Sequence, residues 1–198
     1  FLFQPAEEGG AGGRRMCEEG VLDDPPVRAI FGLHGWPGQP QGEIGVRSGA
    51  MLASSDRLRI AVHGTGAHAA FPHQGIDTVL VAAHVVLALQ SIAARNTDPL
   101  DSVVVTIAQV HGGTADNIIP GEVRLSGTVR TLNSETRRLT FERIERVAAE
   151  TARAYGATAE VTLDDGYPVL ENDPDATDYV RRVAAAADGT VPVEIRPG

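Results

Sequence analysis

Residues 54–156 predict an α+β unit, an antiparallel four-stranded sheet with two helices on one face, set inside a larger α/β chain. Two observations carry this. Strand-like alternation and helix-like spacing follow one another as strand, helix, strand, strand, helix, strand, the ferredoxin-like split βαβ order. The texture also changes on either side: residues 1–53 are rich in Gly and Pro and hold the densest polar motifs, and residues 157–198 return to a mixed acidic segment. An insertion between two halves of another domain gives this layout. The expected organisation is a first piece of a main domain over 1–53 and a satellite domain over 54–156. Residues 157–198 then end the satellite with its last strand and return to the main domain.

Each element has a local reason. Leu58, Ile60 and Val62 alternate with Arg59, Ala61 and His63, so this stretch is a half-buried strand. Gly64–Gly75 is a loop. Ile76, Val79, Leu80, Ala83 and Leu87 recur at helical spacing, so a helix is expected to Arg95, with Asp77 at its positive end and Asp98-Pro99 beyond it. Ser102–Val110 is β-branched and strand-like, and Asn117–Pro120 is a loop. Glu122–Thr131 alternates again. Asn133-Ser134 caps a second helix that runs to about Tyr155 and is stopped by Gly156. Thr158–Leu163 is the last strand. Phe1–Phe3 and Ala29–Phe31 read as short buried strands of the main domain.

The composition limits the function. Of 198 residues 42% are apolar and 22% charged, as in an ordinary globular protein. Twenty-six acidic residues against 17 basic give a net charge of −9, which argues against nucleic acid, and no basic run favours an anionic membrane surface. The single Cys17 can make no internal disulfide, so a reducing cytoplasm is the expected setting. The apolar run Val79–Leu89 is too short to span a bilayer. The chain begins without Met and both ends break off inside patterns, so it reads as an internal segment of a longer chain.

Four strings can carry chemistry. Glu7-Glu8 follows Phe1–Phe3 and precedes Gly9-Gly10; adjacent carboxylates repel unless a cation or separate environments relieve them. One on a metal and one free as a base is a resolution; a solvated acidic pair is the other, and composition favours it. His34, in Gly32-Leu33-His34-Gly35-Trp36-Pro37, is a candidate metal ligand or a turn histidine against Trp36. His68 and His73 lie in the small-residue run Gly66–His73, which lets substrate approach or forms an exposed loop. Asn117, in Asn117-Ile118-Ile119-Pro120, can donate to an oxyanion, and Arg130 can fork onto a carboxylate, or they are a turn Asn and a surface Arg. A Gly-x-Ser-x-Gly elbow, a Walker loop and a C-x-x-C pair are all missing, and His63, His84 and His111 read as structural.

Taken in order, Phe3-Gln4-Pro5-Ala6-Glu7-Glu8-Gly9-Gly10, Gly32–Pro37, Gly66–His73 and Asn117–Pro120 resemble the aminoacylase-like dinuclear metallopeptidases, in the branch of hippurate and auxin-conjugate hydrolases. The resemblance spans essentially the whole chain. It implies an α/β metallopeptidase catalytic domain interrupted by a ferredoxin-like satellite that mediates homodimerisation. The implied activity is amide hydrolysis of N-acyl amino acids by a metal-activated water, with two divalent ions per site (Zn, Mn, Co or Ni). By the same resemblance Glu7 is the general base and Glu8 and His34 are metal ligands. His68 steadies the tetrahedral intermediate in a neighbouring subunit's site and contributes to substrate binding. Asn117 and Arg130 hold the substrate's carboxylate or nearby polar groups. The family's upstream Cys/His and His-Asp ligands and its C-terminal histidine have no counterpart here, so the segment alone is expected to be inactive. Two other readings stand beside it: a non-catalytic dimerising or small-molecule-binding module, and a dipeptidase or carbamoyl-amide hydrolase with the same residues.

Overall fold

The computed structural model describes residues 1–7 and 12–198. In chain order its elements are α1 (Gly12–Glu18), β1 (Glu43–Val46), β2 (Gly49–Leu52), β3 (Ser55–His63), β4 (Ala67–His68) and α2 (Thr78–Arg95). There follow β5 (Val103–Gly112), β6 (Ile118–Ile119), β7 (Glu122–Thr131), α3 (Ser134–Ala154) and β8 (Thr158–Tyr167). The last are β9 (Leu170–Asn172), α4 (Pro174–Ala186) and β10 (Val191–Glu194). Two compact units result: Ala50–Leu170 with Pro197–Gly198, and Phe1–Gly49 with Glu171–Arg196.

The first of these holds the four-stranded antiparallel sheet, in the order β5-β7-β3-β8. That is the ferredoxin-like order, and α2 and α3 pack against the sheet and each other. Alternation explains which face they cover. Leu58, Ile60 and Val62 of β3 and Val123, Leu125 and Val129 of β7 point the same way and are buried. Val81, Val85, Leu89 and Ile92 of α2 and Ile144, Ala148 and Ala152 of α3 close over them. Each large side chain so buried contributes roughly 1.5–3 kcal/mol. Capping fixes the helix starts: Asp77 accepts from the N–H groups of Val79 and Leu80, and Asn133 from those of Glu135 and Thr136.

Helix α2 is longer than the apolar run read in the sequence. Its 18 residues, at a mean hydropathy of 1.6, suffice by length and composition to cross a bilayer, but a third of them are buried on the sheet. On the exposed face of α3, Arg138 holds both Glu135 and Glu142. Hydrogen bonding to Arg138 lowers the Glu135 carboxyl below its ordinary value.

Buried polar groups gather where the chain joins this unit. Ser54 N–H donates to the Thr131 carbonyl at 2.8 Å, and Thr131 N–H donates to Ser54 Oγ at 3.1 Å. Asp56 is wholly buried and takes a fork from Arg137, with Nε at 2.9 Å and Nη2 at 2.6 Å. Hydrogen bonding to Asp56 raises the Arg137 guanidinium above its ordinary value, outweighing desolvation.

In the other unit β1 and β10 pair in parallel, Glu43 with Val191 through Val46 with Glu194. Two expectations fail there. Phe1–Phe3 and Ala29–Phe31 form no strand, and Phe1 (119%), Phe3 (87%) and Ile30 (65%) are exposed. No described strand lies alongside to take their backbone hydrogen bonds, so their apolar pattern has no sheet to join. Gly12 and Gly13 open the short helix α1.

Candidate functional site

The candidate residues fall into three places. Glu7 and His34 belong to the unit formed by Phe1–Gly49 and Glu171–Arg196. Glu7 is exposed, in a turn, and Glu8 lies outside the described residues. His34 is exposed in extended chain; its Nδ1 lies 2.6 Å from the Gly35 carbonyl oxygen, and its ring meets Trp36 edge-on at 6.1 Å. A histidine that donates Nδ1–H to a backbone carbonyl keeps Nε2 as a lone-pair donor, the arrangement usual in metal ligands. The donor set nevertheless stays open. Among the described residues no three His, Cys, Asp or Glu side chains converge as a metal site.

His68 and Asn117 are brought together, although 49 positions separate them in the sequence. The agent is a two-stranded ribbon of β4 and β6, in which Ala67 faces Ile119 and His68 faces Ile118. Ala69 N–H donates to the Asn117 carbonyl at 2.9 Å. Both parent loops read as unstructured in the sequence because each strand of the ribbon is two residues long. They are laced to the sheet end by Gly64 N–H to the Gly121 carbonyl and by Thr78 Oγ1 to the Pro120 carbonyl at 2.7 Å. His68 Nδ1 accepts from Ala70 N–H at 3.1 Å, so the neutral ring carries its proton on Nε2. The ring is exposed and leans on Phe71, with centroids 5.7 Å apart. An exposed Nε2–H beside an exposed Asn amide is a pair of hydrogen-bond donors of the kind that binds an oxyanion.

Arg130 is not part of this cluster. It stands at the opposite end of β7, paired with Val104 of β5, while the ribbon adjoins the Glu122 end. Arg130 is eight residue steps along β7 from Glu122, about 26 Å at ~3.3 Å per step. There Arg130 lines a shallow cavity of about 120 Å³ with Ala53, Ser102, Val104, Thr131 and Leu132. No one copy can therefore present His68, Asn117 and Arg130 to the same small molecule.

Two other histidines make contacts within the sheet-and-helix unit. His84 stacks on Tyr155 at 4.6 Å, and His63 lies 3.4 Å from Glu122 and 3.8 Å from Glu160 across neighbouring strands. The sequence reading missed the Ser54–Asp56–Arg137 group. Its signal was present: Asp56 continues the inward parity of Leu58, Ile60 and Val62, and a carboxylate at an inward position requires a partner.

The chain is 41% identical over 199 residues to an N-acetylcysteine deacetylase of Bacillus subtilis, covering all of this chain and 52% of that protein. It is 42% identical over 175 residues to an N-acyl-L-amino acid amidohydrolase of Geobacillus stearothermophilus, covering 87% of this chain and 47% of that one. The crystal structure of the Bacillus subtilis YXEP protein, a dinuclear metal-binding peptidase of the M20 family, superposes with a TM-score of 0.81 at 36% identity. That match covers all of this chain and 49% of YXEP. The chain thus spans about half the length of the relatives it matches. Peptidase family M20/M25/M40 matches residues 1–198 throughout, and the chain belongs to that family.

Proposed function

We propose that the chain forms part of a hydrolase that cleaves the amide bond of N-acyl amino acids. The observation that supports this most is the end-to-end family match, in which relatives named for N-acyl amino acid hydrolysis share 41–42% of their aligned residues with it. Glu7 takes the proton of the attacking water and returns it to the leaving amine. His68 Nε2–H and the Asn117 amide donate to the carbonyl oxygen as its charge develops, and Arg130 forks onto the substrate carboxylate. The separation of Arg130 from the ribbon favours a site shared between two copies, with Arg130 of one protomer and His68 and Asn117 of its partner. Satellite domains over residues 54–156 pair the copies, and the exposed Val79, Leu80 and Leu87 of α2 offer an apolar face for it.

Divalent metal ions, named for the YXEP neighbour, belong to this reading, and Glu8 and His34 are the ligands this chain contributes. When bound, such ions activate water and polarise the scissile carbonyl. A cytoplasmic setting, expected from the lone and exposed Cys17, belongs to it as well. The test is Glu7→Gln in a protein carrying the whole family fold, assayed on N-acetyl amino acids. Turnover should fall by about 10²–10⁴-fold with metal content unchanged. Full activity in that variant removes Glu7 as the base.

A second reading, a dimerising or ligand-binding module without catalysis, is favoured by the open donor set among the described residues. A whole-fold protein that dimerises but stays inert with added Zn²⁺, Mn²⁺, Co²⁺ or Ni²⁺ would support it over the hydrolase.

A further inference from the structure

The ribbon of β4 and β6 has two unlike faces. Residues opposite one another in an antiparallel pair point the same way, so Ala67 and Ile119 share one face and His68 and Ile118 the other. The first face is half-buried, with Gly75 so near that a Cβ on it would stand 2.7 Å from that of Ala67. The second is open, and Ile118 is 45% exposed on it. Phe71, 50% exposed, sets its ring against the His68 imidazole, with centroids 5.7 Å apart and a tilt of 53°. His73 meets Phe71 edge-on at 6.3 Å. His68 itself stays exposed, so the Phe71 ring walls the approach to it without closing it.

Backbone bonds hold this wall in place. Phe71 N–H donates to the His68 carbonyl at 2.8 Å, Gln74 N–H to the Phe71 carbonyl at 3.0 Å and Ile76 N–H to the Thr65 carbonyl at 2.8 Å. An apolar surface on a fixed loop meets a ligand without first having to be ordered. This one adjoins the Nε2–H of His68, which on the hydrolase reading donates to the scissile carbonyl oxygen. A group bound at that donor has its next atoms beside Phe71 and Ile118.

The scissile amide has two sides. On the amine side, the proposed function gives the substrate charged partners: Arg130 for its carboxylate and Glu7 for the departing nitrogen. Apolar side chains are a poor match there, because they would strip water from charge without replacing it. The acyl side needs no charged partner. We propose that Phe71 and Ile118 are specificity-determining residues that wall the acyl chain, so that the protein prefers N-acyl amino acids whose apolar acyl group is longer than acetyl. This preference rests on the hydrolase reading. Full burial of a methylene is worth about fourfold in binding, and contact with a wall open on one side about twofold. From acetyl to hexanoyl is four methylenes, or roughly tenfold in kcat/KM.

The test uses a protein carrying the whole family fold, supplied with divalent metal. The substrates are N-acetyl-, N-butanoyl- and N-hexanoyl-L-methionine, with N-acetyl-L-alanine against N-acetyl-L-leucine as the amine-side series. In the unaltered protein kcat/KM should rise along the acyl series, to roughly tenfold at hexanoyl. Phe71→Ala should remove most of that ratio, Ile118→Ala a smaller part, and Phe71→Leu should keep most of it. The leucine-to-alanine ratio should not move in any variant. A merely structural role would lower every substrate together and leave the acyl ratio standing, which overturns the proposal. So does an unaltered protein that favours acetyl, an acyl ratio that rises in Phe71→Ala, or a change confined to the amine-side series. If Phe71→Ala fails to fold, Ile118→Ala and the unaltered protein still decide. Turnover without an acyl preference ends this inference alone, whereas no turnover of any of these substrates ends the hydrolase reading and this inference with it.

Discussion

Asp77 accepts two N–H groups at the first turn of α2, and the sequence advertises it: a carboxylate stands immediately before an apolar helical run. Gly127 carries no such mark. It faces Ile107 across β5, and a Cβ there would lie 1.7 Å from the Thr106 carbonyl oxygen. Two rigid backbones would have to separate to admit it. Asp77→Ala should cost about 1 kcal/mol of unfolding free energy. Gly127→Ala should cost more, because a sheet rung moves where only a cap was lost. Denaturant unfolding of the two variants checks the order, and the reverse order would show that the β5–β7 contact yields easily. Asp56 lies between these cases. Its parity says it points inward, but nothing in the string names Arg137 as its partner, 81 positions away.

At the scale of elements, α2 has two apolar stripes with different fates. Leu89 is fully buried against the sheet, whereas Leu87 is 69% exposed two residues earlier. Leu89→Ala should cost about 2–5 kcal/mol through transfer and cavity terms. Leu87→Ala should stay within about 0.5 kcal/mol in a monomer. If the outer stripe pairs two copies, Leu87→Asp should shift sedimentation toward the monomer while leaving the helix content intact. An unchanged sedimentation profile would take α2 out of the interface. Both long helices and the four long strands were legible because each repeats its period several times. The ribbon of β4 and β6 was not, since two residues give no period and its pairing depends on backbone bonds between loops.

For the whole molecule, the apolar core is unevenly shared. Among the described residues outside Ala50–Leu170, only Val46 and Ala184 are buried and apolar. Residues 50–170 expressed alone should therefore melt cooperatively, as a domain with its own core does. A broad, non-cooperative melt by calorimetry would show that this core needs the flanking segments. The same scale explains what of the candidate site could be read. The strings around His34, His68 and Asn117 stand out in the sequence, but their spacing does not give their neighbourhood. Asn117 and Arg130 are 13 positions apart and at opposite ends of β7, while His68 and Asn117 are far apart in sequence and adjacent. The parallel pairing of β1 with β10 has a kinetic meaning as well. Joining Glu43 to Val191 directly means closing a loop of roughly 150 residues, whereas a folded β3–β8 pair leaves only about 35 residues of open chain between them. The difference is about 1 kcal/mol of loop entropy. It favours an order of assembly in which the four-stranded sheet forms first and then draws together β1 and β10, the segments that flank it.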